Sequence, residues 1–340
     1  EAKAEEAEET QEVQEEPEKP EWMKDLGRDR MEVVMLGTAA SVPGKYRNVS
    51  GIFVDLFDRG GIILDCGEGS FGQLLRKYGR AGGFAKLEAL SCVWVSHMHA
   101  DHHLGLLRVL SHRAALARQR REKGEPALEK LTVIGPPPLR KWLGIYQAIE
   151  EGIEIDFVDN ARLFPGKEWV GADSGSVLSG LLAERLQIKI TTVHVRHSCR
   201  DACGVALENT DGPPWKLVYS GDTRPCKELV ALGQGATLLI HEATFENTLE
   251  DDAKFKQHST TEEALRIGRQ MGAYRTLLSH FSQRYAKAPV LSELEGANAG
   301  VAFDLMAINL SDLPRLPSLL APLSRLCKLE GWQTEYEEEE

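Results

Sequence analysis

The stretch Val93-Trp94-Val95-Ser96-His97-Met98-His99-Ala100-Asp101-His102-His103 decides the fold: an apolar run ends in a cluster of imidazoles around one carboxylate. Consecutive apolar side chains suit a strand covered on both faces, and the polar residues then emerge at its end, where α/β folds build their sites. His97 and His99 alternate and can converge on one ion. Asp101 and His102 fall at the start of the helical pattern that follows, where they can face a second ion. Imidazole and carboxylate together suit Zn2+, and a mixed set can hold a pair.

The same arrangement recurs further along the chain. His197 follows the apolar segment ending near Val193, Asp222 follows Leu217-Val218-Tyr219-Ser220 and Gly221, and His280 follows Thr276-Leu277-Leu278-Ser279. Any one of them alone would read as a turn or core residue. Four separate strands that deliver seven ligand-type residues point instead to a dinuclear metal site. Between these points strands and helices alternate, and continuously apolar runs such as Gly61-Ile62-Ile63-Leu64-Asp65 suit buried strands. Two sheets with helices outside, an α/β sandwich four layers deep, is the expected architecture. Within it the pattern predicts one helix over His102–Glu122 and one strand over Val301–Asn309.

Composition narrows the class. The chain has 340 residues, 42 % of them hydrophobic, enough for a sizeable core, and no apolar run approaches the roughly 20 residues that cross a bilayer. Six cysteines do not make a disulfide scaffold, and Cys199 and Cys203 read as small buried residues. The net charge of −12 is unevenly spread: residues 1–30 carry 12 acidic and 5 basic side chains, and residues 330–340 carry six glutamates. The body, residues 31–329, is close to neutral, so a polyanionic substrate is not excluded. Residues 1–30 read as an acidic disordered linker and residues 330–340 as an acidic tail.

The order His97-x-His99-x-Asp101-His102, His197, Asp222, His280 resembles the metallo-β-lactamase superfamily, which implies an αβ/βα sandwich and a two-metal hydrolase. Pro43-Gly44-Lys45-Tyr46-Arg47-Asn48 resembles the PxKxRN loop of the tRNase Z family, endonucleases that remove 3′ trailers from precursor tRNA. His241-Glu242-Ala243-Thr244 is similar to that family's HEAT motif, His258-Ser259-Thr260 to its HST loop, and His280-Phe281-Ser282-Gln283-Arg284-Tyr285 to a further segment. The resemblance implies that His97, His99 and His197 hold one Zn2+, that Asp101, His102 and His280 hold another, and that Asp222 bridges the two. It further implies that Asp101 orients the attacking hydroxide and that Glu242 and His258 protonate the leaving oxygen. Lys45, Arg47 and Asn48 would meet the acceptor end of the tRNA, with Arg284 adding a phosphate contact.

No tRNA-gripping arm stands out between Ile134 and Val193. With the acidic leading segment, this resembles the C-terminal catalytic half of the family's long form. That implies an N-terminal half carrying the arm, and a nuclear or mitochondrial location. Another hydrolase of the same fold, acting on a small ester or thioester, is the alternative. The helix after the His cluster carries Arg108, Arg113, Arg118, Arg120, Arg121 and Lys123, which read first as a solvated face and second as an RNA track.

Overall fold

The computed structural model describes residues 19–24, 26–167, 180–283, 294 and 296–330. One sheet holds β1 (Glu32–Gly37), β2 (Gly51–Asp55), β3 (Gly61–Cys66), β4 (Leu90–Trp94), β5 (Leu131–Gly135), β6 (Ile155–Asp159) and a late strand, β13 (Ala307–Asn309). The other holds β7 (Ile188–His194), β8 (Cys203–Asn209), β9 (Lys216–Tyr219), β10 (Leu238–Glu242), β11 (Arg275–Ser279) and β12 (Ala299–Val301). The spatial orders are β13-β1-β2-β3-β4-β5-β6 and β12-β11-β10-β9-β8-β7. Both sheets follow one plan, an antiparallel meander leading into a parallel half. In the first, β3 to β6 run parallel; in the second, β9 to β12 do.

Strand alternation builds the layers. Along β1, Val33 and Met35 enter the core between the sheets, while Val34 and Leu36 pack outward. The central core joins Ile62, Leu64 and Trp94 of the first sheet to Val205, Leu217 and Ile240 of the second. Outside the first sheet lie α1 (Ser70–Ala89), α3 (Leu106–Glu122) and α4 (Pro137–Gln147). Outside the second lie α5 (Lys227–Leu232), α7 (Thr261–Met271) and α8 (Leu320–Leu329). The expected four-layer sandwich is what forms. Two short helices, α2 (Ala100–His103) and α6 (Glu250–Lys256), border the ends of the strands.

Three expectations change. The helix expected over His102–Glu122 divides into α2 and α3, because the chain at Gly105 presses against the turn after β3. A Cβ there would stand 2.0 Å from the Gly67 carbonyl oxygen. The strand expected over Val301–Asn309 becomes β12 and β13, one in each sheet, so the chain crosses the sandwich through the turn that carries Asp304. The acidic linker expected over residues 1–30 ends early. Met23 and Leu26 are buried in the central core, the Trp22 ring meets Tyr274 edge-on at 5.4 Å, and Arg28 pairs with Asp312 at 2.7 Å. A few apolar side chains at the end of an acidic stretch suffice to tie it down. Residues 1–18 and the tail from 331 lie outside the described residues.

The basic helix α3 does not present all its cations. Arg108, Arg118, Arg121 and Lys123 are exposed, but Arg113 is buried and donates to the carbonyl oxygens of Leu87 (2.6 Å), Leu90 (3.0 Å) and Glu129 (2.8 Å). Those carbonyls belong to the end of α1, the start of β4 and the approach to β5, so one guanidinium fastens three segments. Removing it strands buried acceptors. Arg113→Met should lower stability by on the order of 3 kcal/mol in denaturant unfolding, whereas Arg118→Met should change it by less than about 0.5 kcal/mol.

Candidate metal centre

Most residues of the site lie at or just after the end of a strand, while Asp101 and His102 sit in α2 and His258 follows the turn after α6. β4 leads through Val95 and Ser96 into His97, β9 into Asp222, β10 ends at Glu242, and β11 leads into His280. The backbone turns sharply at these points. Gly221 takes φ 56°, and His280 takes φ 61°, a left-handed conformation held by the surrounding packing.

The seven candidate ligands come together in two groups. His97, His99, His197 and Asp222 can each offer one ligand atom, all within 4.8 Å of one another, and so can Asp101, His102 and His280. In the first group His99 Nδ1 lies 3.0 Å from His97 Nε2 and 3.1 Å from His197 Nε2. Asp222 stands between the groups. Its Oδ2 is 3.2 Å from His102 Nε2 and 3.6 Å from His97 Nε2, and its Oδ1 is 3.3 Å from His280 Nε2. Asp101 Oδ2 lies 3.5 Å from His102 Nε2 and 3.4 Å from His280 Nε2.

The hydrogen bonding around these rings fits a cation. The outward nitrogens have partners. His97 Nδ1 meets Ser96 Oγ at 2.9 Å, His102 Nδ1 meets Asp65 Oδ2 at 2.7 Å, His197 Nδ1 meets the Gln257 carbonyl at 3.0 Å, and His280 Nδ1 meets Thr244 Oγ1 at 2.8 Å. Such outer partners fix the tautomer and turn the second nitrogen inward. Inside, His102 Nε2 and Asp222 Oδ1 are buried without a hydrogen-bond partner among the described residues. Lone pairs that converge without protons between them are a donor set for a metal, and one of imidazoles and carboxylates suits zinc. The electrostatics divide the imidazoles. Burial opposes charge on His102, but Asp222, Asp101 and Asp65 outweigh it and raise its pKa well above the usual imidazole range, so a cation bound there takes the place of a proton. Burial and the neighbouring imidazoles lower the pKa of His97, His99 and His197, which keeps them neutral. Burial opposes ionisation of Asp222, yet His102 and His280 hold its carboxyl well below the usual carboxylate range.

Asp65 is the site residue that the sequence reading missed. Fully buried at the end of β3 with φ 53°, it accepts from the Ser96 amide (2.7 Å), Ser96 Oγ (2.8 Å) and Tyr219 Oη (2.9 Å) as well as facing His102. The signal was present in Gly61-Ile62-Ile63-Leu64-Asp65: a carboxylate that closes an apolar run must be matched by donors.

Glu242 and His258 form a second unit beside the first. His258 Nδ1 lies 2.9 Å from Glu242 Oε1 and 3.9 Å from Asp222 Oδ2. Buried Glu242 also accepts from the amides of Thr223 (2.6 Å) and Ser259 (3.0 Å) and from Thr244 Oγ1 (2.6 Å). Among the described residues it neither caps Ala243 nor pairs with an arginine. Burial would lower the pKa of His258, but the Glu242 carboxylate outweighs it and pushes the imidazole up to about 9. The capping box of α7 belongs to Thr260 and Glu263 and leaves His258 outside it. Arg224 braces this loop, donating to the His258 carbonyl (2.6 Å) and to Glu263 (2.6 Å).

The 41–48 loop borders Asp101, whose Oδ2 accepts from the Ser41 amide at 2.7 Å. Lys45 and Tyr46 are exposed, with the ammonium 5.1 Å over the tyrosine ring. Arg47 and Asn48, expected at the substrate, turn inward instead. Arg47 donates to Thr38 Oγ1 (2.6 Å) and the Ala302 carbonyl (2.7 Å) and lies 4.8 Å over both the Phe281 and Phe303 rings. The Asn48 backbone N–H donates to Asp304 Oδ2 at 2.6 Å, and its side-chain Nδ2 lies 3.5 Å from the Val49 carbonyl oxygen. Internal acceptors close at hand outcompete solvent for these groups, so they fasten the loop to the crossover turn. Arg284 lies outside the described residues.

Comparison with known proteins places the chain in a family. The chain is 40 % identical to the mitochondrial tRNase Z TRZ4 of Arabidopsis thaliana and 44 % identical to the zinc phosphodiesterase ELAC protein 2 of Homo sapiens. The alignments cover 88 % and 87 % of this chain but 36 % and 35 % of those proteins. The chain thus spans about a third of the length of the curated relatives it matches. A crystal structure of a long-form RNase Z from yeast superposes with a TM-score of 0.75 at 27 % identity, over 88 % of this chain and 44 % of that one. Residues 61–281, which run from β3 through the turn after β11 and include every candidate ligand, match the family described as the beta-lactamase superfamily domain, and the chain belongs to that superfamily.

Proposed function

We propose that this chain is the catalytic part of a zinc-dependent endoribonuclease that removes the 3′ trailer from precursor tRNA, hydrolysing the phosphodiester after the discriminator base. The observation that carries the reading is the Glu242–His258 pair, set within 3.9 Å of Asp222 at the edge of two converging ligand groups. The relatives named tRNase Z and zinc phosphodiesterase support it, as does the exposed Lys45–Tyr46 segment beside Asp101.

His97, His99 and His197 would hold one zinc, Asp101, His102 and His280 the other, with Asp222 between them. Bound there, the two ions would supply the Lewis acidity that makes a nucleophile of water and offsets charge on the phosphate. The chain's own groups do the rest. Asp101 orients the attacking water. Glu242 accepts from His258 Nδ1–H, which leaves Nε2 to deliver a proton to the ribose oxygen as its bond to phosphorus breaks. Asp65 and Thr244 hold His102 and His280 in the tautomers that face inward. Lys45 meets substrate phosphate.

The gripping arm is assigned to an N-terminal half of the same protein, in keeping with the chain's third share of its relatives. The compartment is assigned as mitochondrial, as named for the two plant relatives. Among the described residues no helix is long and apolar enough to cross a membrane.

The direct test is cleavage of a 3′-extended precursor tRNA with product-end mapping. The zinc-loaded chain should cut after the discriminator base and a chelator should abolish the cut, whereas hydrolysis of small esters without RNA cleavage would overturn the reading. Asp222→Ala should lose bound zinc and fall below detectable activity while its affinity for the RNA stays within about twofold; retained cleavage would sink the ligand assignment. Glu242→Gln and His258→Ala should each lower kcat by on the order of 10²–10⁴-fold while keeping their zinc, as measured by metal analysis alongside single-turnover kinetics.

A further inference from the structure

Beside the centre, an open cleft reaches His197 and is lined by Arg196, Arg224, Lys254, Arg266 and Glu263. Four cations face one carboxylate. Glu263 is already engaged by Arg224 and by the α7 cap, and Lys254 pairs with Glu250 at 2.8 Å, which leaves Arg196 and the exposed side of Arg266 as the cations open to a ligand. Arg196 is exposed and has no ion pair among the described residues. Arg266 stands 3.6 Å from Glu263 with its side chain 46 % exposed.

The neighbouring turn explains what such a cleft would accompany. Lys254-Phe255-Lys256 ends α6, and Gln257, at φ 59°, turns the chain into His258. Phe255 is 86 % exposed, a large apolar ring left in water three residues before the proposed proton donor. It is not part of an apolar helix face, since the other side chains of this helix are Glu250, Asp251, Asp252, Ala253, Lys254 and Lys256, of which only Ala253 is apolar. An aromatic ring between two lysines, beside a cationic cleft, has the makeup of a single-strand nucleic-acid site: bases stack on the ring while cations hold the backbone.

We propose that Phe255 is a stacking platform for an unpaired RNA base next to the scissile bond, with an adjoining phosphodiester seated in the Arg196–Arg266 cleft. The inference rests on the RNA-cleaving reading above and names the substrate feature that this flank recognises. A protein partner would favour a broader apolar face than this ring offers.

The test is fluorescence anisotropy with a labelled RNA hairpin bearing a short single-stranded 3′ extension, in the slow Glu242→Gln background so that the RNA stays whole. Phe255→Ala should weaken binding roughly tenfold, with Phe255→Tyr and Phe255→Trp close to the parent. An Arg196→Ala/Arg266→Ala variant should make the salt dependence of binding shallower by about one unit of slope. A second hairpin that ends at the unpaired discriminator base separates the two sources of the stacked base. If the loss in Phe255→Ala vanishes there, the base belongs to the trailer; if it persists, the base belongs to the acceptor end. Phe255→Ala binding within twofold of the parent, at an unchanged melting temperature, overturns the platform. If the otherwise unaltered chain still cuts precursor tRNA, the catalytic reading stands; a parent that neither binds nor cuts RNA overturns both.

Discussion

A carboxylate removed from water has to be matched by positive charge or by donors, and in this protein Asp222 is matched from two sides at once. Its two oxygens face separate sets of imidazoles, with His102 and His97 near one and His280 near the other. That position exists only because β9, in the middle of the second sheet, ends level with β4 and β11, and because Gly221 lets the chain turn there. The other features of the site are arranged around this charge. Asp65 backs His102 from the first sheet, Thr244 backs His280 from the second, and the Gln257 carbonyl backs His197 from the α6 turn.

The two sheets share a plan, and the plan explains the placement. In each, the parallel half directs its strand ends to the same edge of the sandwich, the side on which α/β sheets present their sites. The first sheet contributes Asp65 and the His97–His102 cluster, and the second contributes Asp222, Glu242 and His280. The crossover between β12 and β13 closes the arrangement, with Asp304 in its turn holding Thr38, Asn48 and Gln73 at 2.7, 2.6 and 2.9 Å. Through that turn the loop that exposes Lys45 is fixed to the same framework as the ligands, so the centre and its rim are held as one body.

The metal centre and the Glu242–His258 pair are distinct units joined by short links. Thr244 Oγ1 donates to Glu242 and also lies near His280 Nδ1, and the Glu242 carboxylate reaches the backbone of both Thr223 and Ser259. His258 placed in this way is oriented by the same residues that orient the candidate ligands. Arg224 extends the link outward, from the residue two beyond Asp222 to the His258 carbonyl and on to the cap of α7.

By itself, the sequence determined which candidate residues the fold would have to gather and that His97, Asp222, Glu242 and His280 end or follow apolar strands. Apolar runs followed by His or Asp record a local need, and local needs are written in consecutive residues. The four layers followed from the same alternation. What consecutive residues do not record is which groups meet across long separations. The role of Asp65 depends on His102, thirty-seven positions later, and the inward turn of Arg47 depends on Ala302, Phe281 and Phe303. The common plan of the two sheets left no readable repeat, because strand direction is set by pairing partners and not by side-chain type. The apolar residues at 22, 23 and 26 looked too few to fold until the sandwich offered them a core. Tertiary structure decided these points, since satisfying a buried polar group or covering an apolar one depends on what the rest of the chain brings near it.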